Sequence, residues 1–156
     1  MNETHAYYHS EIGYLEVAGN ATGIFSVNFV EKTIVHSEAG VFSCVQECIE
    51  QLDQYFRGAR QTFSVTVSPR GSVFQRKVWQ RLQMIPFGQT TSYQDIARKI
   101  GHPKASQAVG NANGSNPIAI IVPCHRVLGK NGKLTGYAGG LWRKEWLLRH
   151  EQAYLL

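Results

Sequence analysis

The sequence predicts an α+β protein of two lobes, a small N-terminal α/β lobe (antiparallel strands plus a helix) and a mostly helical C-terminal lobe with a helix-turn-helix. Three observations support this prediction. Aromatic and β-branched residues interrupted by glycine turns fill residues 6–30, which is typical of strands. After residue 71, apolar residues recur at helical spacing. Between these regions, Ser68-Pro69-Arg70-Gly71 is the clearest boundary signal, so we predict domains at 1–70 and 71–156.

The strands of the N-terminal lobe are predicted from alternation and from turn residues. Turn signals at Ile12-Gly13 and Ala18-Gly19-Asn20 divide this region into a small antiparallel meander. Ile34 and Val35 add a further short piece. Phe63–Val67 alternates between two faces, as a strand does.

The helix of the N-terminal lobe is predicted from apolar residues at helical spacing between Val41 and Phe56, and Gly58 ends it. Cys44 and Cys48 lie four residues apart on this helix. A metal site needs three or four converging ligands, whereas a free cysteine usually packs as a small apolar residue. We therefore expect packing rather than a metal site for this pair.

The C-terminal lobe opens with a capping box, Ser72 followed by Gln75, ahead of a helix whose Phe74, Val78 and Leu82 share one face. Two short helices follow, separated by a glycine-containing turn, and this arrangement matches a helix-turn-helix. A last helix closes the lobe. These three helices are predicted at residues 91–100, 104–113 and 142–152, the last with Trp146 and Leu147 facing inward.

The rest of the chain is arranged around residues 118–127. Ile118–Val122 is a short run of β-branched and apolar residues that predicts a buried strand, and Pro123 ends it because proline has no N–H for a strand ladder. Cys124 and His125 follow at once, a nucleophile beside a base, where a rigid element ends. A lone cysteine next to a histidine more often packs than reacts, so these two residues alone leave catalysis open.

Charge separates the two lobes. Residues 1–71 carry four basic and eight acidic side chains, whereas residues 72–156 carry twelve basic and three acidic ones, which gives net charges of −4 and +9. A strongly basic half indicates a polyanionic partner such as nucleic acid, although basic surfaces are also often only solvated. There is no apolar run of membrane-spanning length, no signal-peptide pattern and an odd number of cysteines, three. We therefore expect a cytoplasmic protein without a membrane partner.

A set of motifs from about Gly71 to Glu151 carries a resemblance to one protein family. The central motif is Ile121-Val122-Pro123-Cys124-His125-Arg126-Val127. The others, in order, are Phe74-Gln75, Val78-Trp79, Ile85-Pro86-Phe87-Gly88, Thr91-Ser92-Tyr93, Gly114-Ser115-Asn116-Pro117, Thr135-Gly136-Tyr137-Ala138-Gly139-Gly140 and Lys144-Glu145-Trp146-Leu147-Leu148. Together they resemble the O6-alkylguanine-DNA alkyltransferases, also called methylated-DNA–protein-cysteine methyltransferases. The N-terminal lobe fits this family only in size and in its strand-then-helix order.

The resemblance implies that an alkyl group moves from O6 of guanine in double-stranded DNA to a cysteine of the protein. Cys124 would be the nucleophile, His125 a base acting through water, and Glu151 the group that orients His125. Tyr93 would donate to guanine N3, and Asn116 would brace the turn before Cys124. The thioether product has no easy hydrolysis path, so each molecule would act once. No metal and no organic cofactor would be needed.

The resemblance also implies that the target nucleotide is flipped out of the duplex by the helix-turn-helix, placed in the minor groove. The carbonyls of Cys124 and Val127 would accept hydrogen bonds from the guanine amino group, and Tyr137, Ala138 and Gly139 would form the pocket. The implied DNA contacts are Ser92, Lys104, Ala105, Gln107, Ala108, Asn113 and Arg126.

The chain departs from the family at Gln107, where members usually carry an arginine that fills the space left by the flipped base. Glutamine carries no charge and stacks less well, which predicts weaker DNA binding or slower flipping. We expect a monomer. The sequence leaves open assembly of several molecules along DNA, repair of O4-alkylthymine and the preference among alkyl groups.

Other functional classes explain less of the sequence. A non-catalytic protein that binds alkylated DNA is the main alternative, but such relatives lack the nucleophile that Cys124 supplies. A cysteine hydrolase leaves the basic half unexplained, and a helix-turn-helix regulator leaves Pro123-Cys124-His125-Arg126 without a purpose. A cytosine methyltransferase needs a glycine-rich methyl-donor site and a much longer chain.

Overall fold

The computed structural model describes residues 2–31 and 40–153, and the chain divides into two compact units, residues 1–70 and 71–156. The expected piece at Ile34 and Val35 lies outside the described residues. The first unit contains antiparallel strands and a helix, and the second is mostly helical, so the predicted α+β class is confirmed. Within the described ranges, no helix is both long enough and apolar enough to cross a membrane.

The first unit is built on a three-stranded antiparallel sheet. Strands β1 (Thr4–Ser10), β2 (Gly13–Asn20) and β3 (Gly23–Val30) lie in the order β1-β2-β3, so the predicted meander is confirmed. Helix α1 (Ser43–Phe56) buries one face against this sheet. Gly58 follows the end of this helix, as predicted, and has a φ of +79°, a left-handed conformation that glycine adopts without a steric penalty.

Residues 63–67 do not form the predicted strand. Only Val67 pairs with the sheet, through a single bridge to Ile24. The backbone N–H of Ser64 donates instead to the side-chain oxygen of Gln51 at 2.9 Å, and the side-chain nitrogen of Gln51 donates to the Ser64 hydroxyl at 2.8 Å. Because a buried side chain of α1 takes the polar groups of Ser64, this end of the segment is held by the helix, and only the end at Val67 pairs with β3.

The second unit is mostly helical, and short pieces of strand and turn connect its helices. Its elements are α2 (Val73–Leu82), β4 (Thr91–Ser92), α3 (Tyr93–Lys99), α4 (Ser106–Gly114), β5 (Val127–Leu128) and α5 (Leu141–His150). The predicted capping box is present, with the N–H of Gln75 3.1 Å from the hydroxyl oxygen of Ser72. Helices α3 and α4 form the helix-turn-helix, with Gly101 in the turn at a φ of +84°.

Four of the five residues 118–122 are buried as predicted and Ala119 is half-buried, but the segment does not form a strand. These residues fold into tight turns, the smallest of which joins the N–H of Ile121 to the carbonyl of Ala119 at 2.8 Å. Between these two residues, Ile120 has a φ of +71°, in the left-handed region that β-branched residues avoid. The side chain of Asn116 stabilises this shape, because it binds backbone groups that a strand would use.

The buried face of helix α5 matches the predicted one only in part. Lys144, Leu147 and Leu148 are buried, whereas Trp146 is half-buried and stacks on the ring of His150, with the ring centroids 4.9 Å apart. The prediction for Leu147 is confirmed and the prediction for Trp146 is wrong. Positions 144, 147 and 148 share the spacing of three and four residues that defines one helix face, and position 146 lies outside it.

Candidate active site

Cys124 lies at the first position of a single turn of 3-10 helix, Cys124–Arg126, between Pro123 and β5. Strand β5 pairs in parallel with β4, whose residues directly precede α3. The nucleophile candidate is therefore held between the strained turn before it and a strand that connects it to the helix-turn-helix. Cys124 is 7% exposed.

Asn116 braces the turn that leads to Cys124. Its side-chain nitrogen donates to the carbonyl of Val122 at 2.8 Å, and its side-chain oxygen accepts from the N–H of Ile118 at 3.0 Å. These bonds cross the turn from both ends. The contact that the resemblance implied for Asn116 is therefore present, although the strand expected beyond it is not.

His125 and Glu151 form a buried hydrogen-bonded pair. Nε2 of His125 lies 2.7 Å from Oε2 of Glu151, and neither side chain is exposed. Arg126 binds the same carboxylate, with Nε 2.7 Å from Oε1 and Nη2 3.0 Å from Oε2. Its Nη1 donates to the carbonyl of Ile85 at 2.7 Å. Both carboxylate oxygens are thus held by the two residues that follow Cys124.

The environment of this pair determines which ring nitrogen of His125 carries the proton. Burial alone would raise the pKa of Glu151, but its interaction with His125 and the hydrogen bond and charge of Arg126 hold that pKa well below its usual range. An ionised carboxylate only accepts hydrogen bonds, so His125 donates from Nε2 and keeps a lone pair on Nδ1. Burial also lowers the pKa of His125, against the opposing effect of Glu151. A neutral ring with a free Nδ1 can accept a proton.

The surroundings of Cys124 act on its thiol in two directions. Burial raises the pKa of the thiol, while a hydrogen bond from Asn116 and the positive charge of Lys144 act to lower it. The thiolate is the reactive form of cysteine. The site therefore has to supply both a base for the thiol proton and a positive charge for the sulfur, and His125 and Lys144 are the candidates.

Lys144 is a site residue that the sequence analysis missed. It has no exposed area, and its Nζ donates to the backbone carbonyl of Thr135 at 2.5 Å. Burial lowers the pKa of Lys144 to about 8, partly offset by Cys124. The signal was present in the sequence, since Lys144 precedes Leu147 and Leu148 by three and four residues and so shares their buried face.

Tyr93 is connected to the same loop. Its hydroxyl lies 2.8 Å from the hydroxyl of Thr135, so Thr135 binds Tyr93 through its side chain and Lys144 through its carbonyl. Ser92 accepts at its side chain from the N–H of Asp95 and begins α3. Ser92 and Tyr93 line a cleft of about 680 Å³ whose other side includes the turn at Lys130–Gly132.

The predicted DNA contacts fall into two groups. Lys104, Gln107 and Ala108 are exposed on the helix-turn-helix, and Ala105 and Ser92 are half-buried beside them.

The other two predicted DNA contacts, Arg126 and Asn113, are buried. The predicted DNA contact of Arg126 is wrong, because Arg126 is 6% exposed and its guanidinium is bound to Glu151 and Ile85. Asn113 does not reach the surface of α4 either, because it is 3% exposed and donates to the carbonyl of Cys124 at 3.3 Å.

The remaining predicted pocket residues lie on the segments around Cys124. Val127 is fully buried in β5, and Ala138 and Gly139 are in the loop before α5. Burial raises the pKa of Tyr137, in the same loop, well above its usual value, so its hydroxyl keeps its proton. In the described part of the chain, no group of three or more His, Cys, Asp or Glu side chains is arranged to hold a metal ion.

Comparison with known proteins matches both units to domains of one protein family. Residues 73–153 match the DNA-binding domain of 6-O-methylguanine DNA methyltransferases, and residues 4–69 match the ribonuclease-like domain of that family. A methylated-DNA–protein-cysteine methyltransferase of Methanosarcina acetivorans is 49% identical over 151 residues, which cover 94% of this chain and 97% of the relative.

Solved structures agree with these matches. The crystal structure of the Mycobacterium tuberculosis O6-methylguanine methyltransferase has a TM-score of 0.87 at 43% identity, covering 97% of this chain and 94% of the other. A structure of the M. tuberculosis protein OGT in complex with DNA has a TM-score of 0.86 at 45% identity, covering 96% and 92% of the two chains. The chain therefore belongs to the 6-O-methylguanine DNA methyltransferase family.

Proposed function

We propose that this protein transfers an alkyl group from O6 of a guanine in double-stranded DNA to the sulfur of Cys124, and that each molecule does so once. As a family member, the protein is a methylated-DNA–protein-cysteine methyltransferase that acts in the repair of alkylated DNA. The observation that carries the proposed mechanism is the buried His125–Glu151 pair directly after Cys124, at 2.7 Å. A protein that only bound damaged DNA would have no use for this pair beside a cysteine.

The transfer begins when the thiol proton of Cys124 moves to Nδ1 of His125, directly or through one water. The thiolate then forms a bond to the alkyl carbon while the bond between that carbon and guanine O6 breaks. The electron pair of the broken bond stays on the base. Tyr93 donates a proton to guanine N3, so the base leaves as a neutral molecule, and the proton held by His125 balances the one that Tyr93 gives.

The flipped base is bound by the segments on either side of Cys124. The backbone carbonyls of Cys124 and Val127 accept from the guanine amino group, and the loop with Tyr137, Ala138 and Gly139 closes the pocket. Glu151 keeps His125 in the tautomer that accepts the thiol proton. No step in this scheme needs a metal or an organic cofactor.

Recognition of the duplex falls to the exposed residues of the helix-turn-helix. Lys104 contacts the phosphate backbone, and the small side chain of Ala108 lets α4 lie close to the minor groove, where rotating the target nucleotide out costs a few kcal/mol. We further propose that the protein acts as a monomer on DNA inside the cell. O4-alkylthymine is the second candidate lesion.

Replacing Gln107 by arginine is expected to tighten binding to duplex DNA by roughly tenfold and to speed transfer. Gln107 is exposed on α4, and an arginine there adds both a charge and a planar group that stacks in the space left by the flipped base. Gln46→Arg is the matched control, since it adds the same charge on the exposed side of α1. Equal affinity and rate for Gln107→Arg and wild type would show that position 107 does not limit flipping.

The proposed function is tested by weighing the intact protein after incubation with a duplex that carries one O6-methylguanine. We expect a mass gain of one methyl group, never more than one lesion repaired per molecule, and no gain in Cys124→Ser. Tight binding to the lesion with no change of mass would instead support the non-catalytic alternative.

A further inference from the structure

Three buried side-chain polar atoms in the described ranges have no hydrogen-bond partner: Oδ1 of Asn113, Nδ1 of His125 and the hydroxyl of Tyr137. All three belong to the second unit and to segments that adjoin Cys124. Buried polar atoms nearly always have a partner, so such a group of unpaired atoms indicates a site built for a polar ligand. The mechanism above uses Nδ1 of His125 for the thiol proton and assigns Tyr137 to the pocket. It leaves Oδ1 of Asn113 without a role.

The position of Asn113 is fixed by its other amide atom. Nδ2 donates to the carbonyl oxygen of Cys124 at 3.3 Å, and the residue is 3% exposed. The opposite assignment of nitrogen and oxygen would set two acceptors against each other. Because the two amide atoms share one carbon, the unpaired Oδ1 lies beside the same carbonyl of Cys124 that is proposed to accept from the guanine amino group.

We propose that Asn113 reads the exocyclic amino group of the flipped guanine. Its Oδ1 accepts one of the two N–H groups in a three-centre hydrogen bond shared with a backbone carbonyl, while its Nδ2 holds the Cys124 carbonyl in place. This inference deepens the proposed function and rests on it. It makes Asn113 a specificity-determining residue, and it defines the preferred substrate as an O6-alkylated purine with an amino group at C2.

The chemistry of Oδ1 explains the direction of the preference. An amide oxygen only accepts hydrogen bonds, and a purine amino group only donates them, so the two are complementary. A substrate that lacks the amino group leaves Oδ1 buried and unpaired, and such a buried acceptor lowers the affinity of the complex. Asn113 lies on α4, the helix that also carries Gln107, so one helix carries a residue proposed to act in flipping and a residue proposed to read the base.

The experiment compares two duplexes that differ only in the amino group. One carries O6-methylguanine and the other carries O6-methylhypoxanthine, the same purine without the amino group at C2. Single-turnover transfer rates are measured for the wild type, Asn113→Leu and Asn113→Ala. Asn111→Leu is the matched control, because Asn111 is exposed on the same helix.

The expected result is a selective loss. Both Asn113 variants should lose about tenfold more of their rate on O6-methylguanine than of their rate on O6-methylhypoxanthine, so the ratio of the two rates falls. The control should keep the wild-type ratio. A role limited to holding the Cys124 carbonyl would lower both rates together and leave the ratio unchanged, which overturns the inference. Absence of transfer by the wild type to either duplex would overturn the proposed function itself.

Discussion

Glu151→Ala is expected to destabilise the protein by about 3–5 kcal/mol, the usual cost of removing one partner from a buried ion pair. The carboxylate binds His125 and Arg126, which are both buried. Without it, the guanidinium of Arg126 stays buried with no opposite charge. The imidazole also loses the acceptor that fixes its tautomer, so the transfer rate should fall by about 10²–10⁴, the range for a lost general base.

Denaturant unfolding and single-turnover transfer measure these two effects separately. Glu145→Ala is the control, because Glu145 lies on the same helix and its carboxylate is 43% exposed beside Arg149. A surface pair of this kind contributes little to stability, so Glu145→Ala should leave both stability and rate near the wild-type values. A Glu151→Ala protein as stable and as fast as that control would show that the buried contact does not hold the site.

Lys144→Met is expected to change how stability depends on pH. The pKa of Lys144 is about 8 in the folded protein, whereas an exposed lysine keeps its proton up to about pH 10.4. Between these pH values the unfolded chain binds more protons than the folded one, so Lys144 makes the wild type more stable as pH rises. Methionine does not titrate, so the stability of the variant relative to wild type should fall by about 3 kcal/mol between pH 7 and pH 11.

The measurement is denaturant unfolding of both proteins at each pH, and taking their difference removes the contribution of other titrating groups. Lys99→Met, at an exposed position of α3, should show no such trend. A difference in stability that does not vary with pH would mean that Lys144 is not a strained buried cation.

The same Lys144→Met protein should react with iodoacetamide at Cys124 about tenfold more slowly at pH 7, because the sulfur loses the positive charge that favours its thiolate.

The sequence was sufficient where the determining interactions are local. The capping box joins Ser72 to Gln75 within one turn, and the meander follows from its turn residues. The pairing of Cys124 with a base was visible because His125 is its neighbour in the chain. The contact of Glu151 with His125 came from the family resemblance, since periodicity does not bring together two residues 26 apart.

The predictions that failed depended on side chains that compete with the backbone or on distant partners. Ile118–Val122 has the composition of a strand, but Asn116 takes the backbone groups that a strand needs. Arg126 was expected to contact DNA, but its guanidinium is bound to a buried carboxylate 25 residues away. Lys144 was missed because lysine is almost never fully buried, even though its spacing matched the buried face of α5.

The long separation between His125 and Glu151 also bears on how the protein is made. A ribosome exposes Cys124 and His125 before it exposes Lys144 and Glu151, and domains tend to fold as units once their chain is available. Until α5 has docked, the imidazole has no carboxylate to orient it and the sulfur has no nearby ammonium group. A nascent chain thus carries an ordinary, weakly reactive cysteine, and the reactivity proposed for Cys124 arises only after the second unit has folded.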